Sequence, residues 1–192
     1  MAAIQLNTVQ QMNDEDFYQF CRKNSQYRIE KNKYGKILIM EPTNSEAGYY
    51  NSEISYEVTH WNRKTQMGKT FDSSTGFKIQ NGATLSPDVS WILNERWNDL
   101  SDEERRRFAR ITPDFVIELR SSSDDSLKDL KEKMLEYIES GVRLAWLLDR
   151  IEGKAYVYRP NVEIEIYTDF NKDVLSGEDI LPGFEMKLSI LK

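Results

Sequence analysis

Residues 115–149 read FVIELRSSSDDSLKDLKEKMLEYIESGVRLAWLLD, and this stretch sets the fold class. Phe115 to Leu119 reads as a strand carrying a single acid, Glu118, among apolar residues. Ser121 to Asp125 is a polar turn. Ser126 to Ser140 has helical periodicity and is closed by Gly141 at the position after a helix end, where glycine is favoured. Leu144 to Asp149 is an unbroken apolar strand of the kind found at the centre of a sheet. A carboxylate in a buried strand is expensive to keep unless a cation sits beside it. Glu118 is therefore the first candidate functional residue, with the lysine-rich helix as a source of the cation.

Working outward, Pro87-Asp88 opens an alternating run to Leu93, with Val89, Trp91 and Leu93 on one face and Asp88, Ser90 and Ile92 on the other. Gly76 to Ile79 alternates as well, and Asn81-Gly82 is a tight-turn signal between the two runs. Before them, Glu46 to Gln66 predicts a long helix whose stripe is Tyr50, Ile54, Val58 and Trp61, with Gly68 as its stop. Lys36 to Met40 predicts a strand ended by Glu41-Pro42, and Asn13 to Asn24 a short helix with Phe17, Phe20 and Cys21 on one side. Asn94 to Thr112 is a polar insertion with a charged helix at Ser101 to Arg110, introduced by a Ser101–Glu104 capping box. Lys154 to Arg159 and Val162 to Tyr167 predict a hairpin at the sheet edge. The order gives an α/β fold: a mixed central sheet flanked by helices, with an extra C-terminal β-hairpin.

With 192 residues the chain suggests one domain spanning 1–192, its core at about 36–170. A net charge of −6 excludes a binder of nucleic acid that works by overall charge alone. The one cysteine excludes an intrachain disulfide and fits a reducing cytosol. No secretory leader and no membrane span are expected, since no run of about 18 apolar residues occurs.

Asp114 and Glu118 share a strand face but lie about 13 Å apart at roughly 3.3 Å per residue, too far to chelate one ion. Asp88, on a strand that can lie beside Phe115 to Leu119, is the better partner for Glu118. Oxygen ligands without a histidine or cysteine cluster favour Mg²⁺ or Mn²⁺ over Zn²⁺. The competing structural reading is that Asp88 caps a turn and Glu118 pairs with Arg120, two residues on. Arg120 can stabilise phosphoryl charge but cannot act as a general base. Lys133 falls at the edge of the Leu127, Leu130, Met134 and Ile138 stripe, next to Tyr137, where an ammonium can be aimed at the sheet. Glu46, Glu53 and Glu57 flank the stripe of the long helix. Arg63, Lys64 and Lys69, or the cluster Arg105, Arg106, Arg107 and Arg110, are candidate nucleic-acid contacts, the latter balanced by Asp102, Glu103 and Glu104. His60 and the tryptophans read as packing residues.

The segments FDSSTGFKIQNGATLSPDVSWI, ERW and PDFVIELRSSSDDSLKDLKEKMLEYIESGVRLAWLLD resemble the PD-(D/E)XK nuclease superfamily, and within it the Uma-type restriction endonucleases, a bacterial family. The resemblance covers about Met40 to Pro160. It implies a restriction-endonuclease-like αβββαβ core and metal-dependent phosphodiester hydrolysis, with DNA as substrate and RNA left open. By motif, Asp88 matches the first aspartate and Glu118 the (D/E) position, and the superfamily's helical acid best matches Glu53, then Glu57. Arg120 stands where the motif has lysine, and Lys133 matches a lysine moved to the following helix. The implied metal ligands are Asp88, Glu118 and the Leu119 carbonyl, with Glu53 on the metal's water and Lys133 and Arg120 on the phosphate side. A homodimer through Tyr156, Tyr158 and the apolar edge strands and a location in the bacterial cytoplasm complete the expectation. The Arg120 departure motivates the alternative: a nuclease-fold module without activity that binds nucleic acid or protein.

Overall fold

The N-terminal third builds a small sheet and two helices. A computed structural model describes the backbone of Ala3–Leu6 and residues 12–40, 42–122 and 126–192; Glu41 and residues 123–125 of the expected polar turn lie outside the described residues. Strand β1 is Ala3–Leu6 and helix α1 is Asp14–Lys23. Asn13 caps α1 by accepting from the Asp16 N–H at 2.9 Å, and Asp14, Glu15 and Asp16 complement the positive end of the helix dipole. Strands β2 (Arg28–Lys31) and β3 (Ile37–Met40) form an antiparallel hairpin whose loop uses Gly35 at φ 82°. Helix α2 is Ser45–Thr65, capped by Asn44. It ends at Gln66, which adopts the left-handed conformation at φ 54°. Gly68 was expected to be the stop. It instead opens strand β4 (Gly68–Asp72), where a Cβ would run into the Ile92 carbonyl and the Trp91 ring.

The middle of the chain alternates between two sheets. Strands β5 (Phe77–Lys78) and β6 (Thr84–Leu85) pair across the Asn81-Gly82 turn, with Gly82 at φ 90°. Strand β7 is Val89–Leu93, followed by short helices α3 (Asn94–Asn98) and α4 (Asp102–Arg105). The Ser101–Glu104 capping box forms, but α4 stops at Arg105, short of the expected Arg110. Strand β8 (Phe115–Arg120), helix α5 (Leu127–Glu139) and strand β9 (Leu144–Asp149) follow as read from the sequence. Strands β10 (Lys154–Tyr158) and β11 (Glu165–Tyr167) make the edge hairpin. A further hairpin, β12 (Val174–Ser176) with β13 (Glu185–Lys187), and a 3₁₀ turn at Leu188–Leu191 close the chain.

The central sheet has the order β11-β10-β9-β8-β7-β4. Its β8–β9 pair is parallel and the rest are antiparallel, so it is mixed. The small sheet runs β1-β3-β2-β6-β5. The αβββαβ core is thus α2, β4, β7, β8, α5, β9. Its first strand is β4, not the Gly76–Ile79 run, which belongs to the small sheet. Edge strand β4, GKTFD, has too little apolar content to announce itself.

Helices cover both faces of the central sheet. Tyr50, Ile54, Val58 and Trp61 of α2 pack with Val89, Trp91, Phe115, Ile117 and Trp146. The C-terminal hairpin completes this layer through Leu175, Phe184, Met186 and Leu188, a contribution absent from the sequence reading. On the other face, Met134 and Tyr137 of α5 pack with Val116, Ala145, Leu147, Tyr156 and Tyr158. Fully burying each such large side chain contributes about 1.5–3 kcal/mol. Tyr156 and Tyr158 are therefore core residues, 3% and 1% exposed, and do not form a surface. Among the described residues no helix is long and apolar enough to cross a membrane.

Candidate functional site

The site lies where the small sheet meets the end of β8. Antiparallel pairing of Val89 with Ile117 places Asp88, one residue before β7, across from Glu118. Glu118 shares its strand face with Val116, so it points toward α5. From α5, Lys133 Nζ reaches Glu118 Oε1 at 2.8 Å, and the Tyr137 hydroxyl donates to the same oxygen at 2.9 Å. Asp88 Oδ2 accepts from the main-chain N–H of Leu119 at 2.8 Å. Asp88 and Glu118 are thus tied to adjacent residues of one strand.

The small sheet brings two more charges. Strand β2 alternates Arg28 and Glu30 toward the site, and it is joined to β6 through Lys31 and Thr84. Glu30 Oε1 lies 2.9 Å from Lys133 Nζ and accepts the Ser86 N–H at 3.0 Å. Arg28 Nη1 pairs with Asp88 Oδ1 at 2.9 Å, while Nη2 lies 3.4 Å from Glu30 and 4.0 Å from Glu118 Oε2. Nη2 also donates to the Ser86 carbonyl. Three carboxylates face two cations, an excess of one negative charge when all are ionised.

That excess shows in the proton affinities. Burial pushes the Glu118 carboxyl up to about 7; Lys133 works against the rise and Asp88 adds to it. For Glu30 burial acts the same way, but Lys133, Arg28 and the Ser86 N–H outweigh it and hold the carboxyl below its usual range. Lys133 loses solvation, yet Glu118 and Glu30 raise its pKa and keep it an ammonium. Burial and the neighbouring Glu118 carboxylate raise the Tyr137 hydroxyl well above its usual value, so it stays a donor.

The structure gathers Asp88, Glu118, Leu119 and Lys133 but leaves two predicted residues elsewhere. Arg120 Nη1 pairs with Asp149 Oδ2 at 2.9 Å and approaches Glu152 at 3.8 Å, rather than joining Glu118. Glu53 is on α2, whose buried stripe packs on the Phe115, Ile117 and Leu119 face, opposite Glu118. Neither Glu53 nor Glu57 has an ion pair among the described residues, and Glu46 pairs with Arg150 at 3.1 Å. The acid that joins Asp88 and Glu118 is Glu30, which the sequence reading missed together with Arg28. Their only signal was charge alternating in a four-residue run, RIEK, ahead of a glycine turn and the KILIM strand. Three arginines of the Arg105–Arg110 cluster are engaged: Arg107 pairs with Glu15 and Arg110 with Asp14 at 2.7 Å, both on α1, and Arg105 pairs with Asp102 at 3.3 Å.

The donor set fits a hard divalent cation. Every side-chain donor is a carboxylate oxygen, and a positive group, the Arg28 guanidinium, already stands between Asp88 and Glu118. Among the described residues no three histidine, cysteine or carboxylate side chains form a finished cage. Asp88 and Glu118 would supply the acid pair, with main-chain oxygen and water completing the shell.

Comparison with known proteins gives a family and a fold neighbour. The Uma2 family, described as putative restriction endonuclease, matches residues 14–190. The chain belongs to the Uma2 family. The Uma2 match takes in β2, Asp88, β8 and α5, the parts of the chain that build the site. A solved structure described as a putative nuclease belonging to DUF820 from Anabaena variabilis is similar to this Uma2 chain, with a TM-score of 0.70 at 21% identity. The likeness covers 85% of this chain and 88% of that one, and at this identity it shows a shared fold. No curated protein matches the chain. Membership of Uma2 supports a nuclease function and a nucleic-acid substrate.

Proposed function

We propose that this protein is an endonuclease that hydrolyses phosphodiester bonds of DNA with Mg²⁺ or Mn²⁺. The observation that carries the reading is the Lys133 ammonium 2.8 Å from Glu118, in one cluster with Asp88. Asp88, Glu118 and the Leu119 carbonyl would hold the ion. When bound, such an ion polarises the scissile phosphate and lowers the pKa of a coordinated water. Lys133, pinned by Glu30 and Glu118, orients the attacking water and faces the charge that develops on the phosphate. Tyr137 keeps Glu118 in the orientation that presents its second oxygen to the cluster. Arg120, bound to Asp149, supports the end of β8 rather than the phosphate.

The inactive-module alternative rested on arginine in the lysine position of the motif. Lys133 supplies the ammonium from α5, so that departure does not leave the acid pair without its base-side partner. Arg63, Lys64 and Lys69 are exposed and have no ion pair among the described residues, which favours them over the paired Arg105, Arg107 and Arg110 as phosphate contacts. Exposed Val162, Ile164 and Ile166 at the β11 edge, rather than Tyr156 and Tyr158, are the surface for a homodimer, checked by light scattering. The single thiol, Cys21, fits a reducing bacterial cytoplasm.

The test is incubation of supercoiled plasmid and single-stranded DNA with Mg²⁺ or Mn²⁺, with Asp88→Asn as control and chelator as a second control. Metal-dependent nicking by the parent alone is expected. Equal nicking by Asp88→Asn would dismiss the assignment.

A further inference from the structure

Arg28 is the most deeply engaged charge of the site. Its guanidinium touches Asp88 at 2.9 Å and Glu30 at 3.4 Å, comes within 4.0 Å of Glu118, and donates to the Ser86 carbonyl. Three acids and a carbonyl converge on one cation, as oxygen ligands converge on a metal ion. The fit is incomplete, because the buried Arg28 Nε–H has no hydrogen-bond partner among the described residues. A buried donor left unpaired weakens the hold on the group that carries it. The side chain is also 15% exposed, against 8% or less for the three carboxylates, so it is the one nearer to solvent.

We propose that Arg28 is a built-in counter-cation occupying the position between Asp88 and Glu118, and that a divalent ion must displace it to load the site. The inference rests on the metal-dependent reading above. A guanidinium and a hard cation cannot both sit between those two carboxylates, since each needs the same oxygens. Without metal, Arg28 offsets the repulsion of three gathered acids and keeps the cluster folded. With metal, the guanidinium is expelled to the mouth of the site. Arg28 therefore sets the threshold of metal concentration at which the protein becomes loaded.

The experiment is a Mn²⁺ titration by calorimetry at pH 8 on the full chain, comparing the parent with Arg28→Met and Arg28→Lys. Removing the competing charge should tighten Mn²⁺ binding about tenfold or more in Arg28→Met, with Arg28→Lys in between. Nitrogen-15 spectra of the parent's arginine side chains supply a readout that needs no variant. The Arg28 guanidinium signal should shift when diamagnetic Mg²⁺ saturates the protein. Equal or weaker Mn²⁺ binding by Arg28→Met overturns the displacement, as does an unmoved guanidinium signal at Mg²⁺ saturation. Absence of Mn²⁺ binding in the parent and both variants removes the metal reading itself, and the displacement with it.

Discussion

The main-chain N–H of Leu119 donates to Asp88 Oδ2 at 2.8 Å, so the loop that carries one acid is fastened to the strand residue next to the other. The contact makes two substitutions at position 88 behave differently. Asparagine keeps an oxygen for the Leu119 N–H and loses the negative charge facing Arg28. Alanine leaves the N–H and the guanidinium both without that partner. Both variants should abolish cleavage and lose the Arg28 ion pair, and Asp88→Ala should cost about 1–2 kcal/mol more than Asp88→Asn for the lost acceptor of the Leu119 N–H. Urea denaturation beside the nicking assay measures both. Similar stability losses in the two variants would mean that the hydrogen bond does not anchor the loop.

Lys133 is the one ammonium shared by Glu30 and Glu118, and Tyr137 is the only neutral donor that touches Glu118 among the described bonds. Removing one partner of an enclosed ion pair leaves the other uncompensated. Lys133→Met should destabilise the protein by about 3 kcal/mol and abolish cleavage. Tyr137→Phe removes a single hydrogen bond and should lose about 1 kcal/mol. A Lys133→Met protein as stable as Tyr137→Phe would show that Arg28 and a proton on Glu118 compensate for the lost ammonium.

Glu30, rather than Glu53, stands beside Asp88 and Glu118. Glu30 fixes Lys133 and the Ser86 N–H, while Glu53 stands on the helix across the sheet from Glu118. Glu30→Gln should lower cleavage about 10- to 100-fold, in line with loss of a group that orients another. Glu53→Gln should leave cleavage unchanged and stability within about 0.5 kcal/mol. Rates from the two variants decide between them, and the opposite order would restore Glu53 as the third acid.

What the sequence disclosed follows from periodicity. The α2 stripe of Tyr50, Ile54, Val58 and Trp61, the β8–α5–β9 unit and the capping box at Ser101 all announce themselves within one element. Asp88 and Glu118 stand out for a related reason, Asp88 as the acid just before one apolar strand and Glu118 as the one acid inside another. Arg28 and Glu30 do not, because β2 is four residues long and its meaning depends on a tertiary neighbour, the link from β6 to β7 that carries Ser86 and Asp88. The C-terminal hairpin hid for a related reason. Leu175 and Met186 are the lone buried residues of two three-residue strands, too short to show alternation. Gly68 illustrates the converse: glycine after a helix reads as a stop, whereas the structure uses its missing side chain to admit Trp91.

The raised proton affinity of Glu118 fixes how stability should vary with pH without metal. An unfolded glutamate ionises near 4.5, whereas in the folded protein burial lifts Glu118 to about 7. Between these values the folded state binds more protons than the unfolded chain, so stability falls as pH rises through the window. The contribution is complete below pH 4.5 and gone above about 7, and it amounts to at most about 3 kcal/mol. Glu30, held below its usual range, acts in the opposite sense and only at the acid end, outside this window. Thermal denaturation of the metal-free protein from pH 5 to 8 should therefore show a declining midpoint. Glu118→Gln, which cannot titrate, should flatten the decline. A midpoint that climbs across the window in the parent would show Glu118 already ionised at pH 5, with Lys133 prevailing over burial.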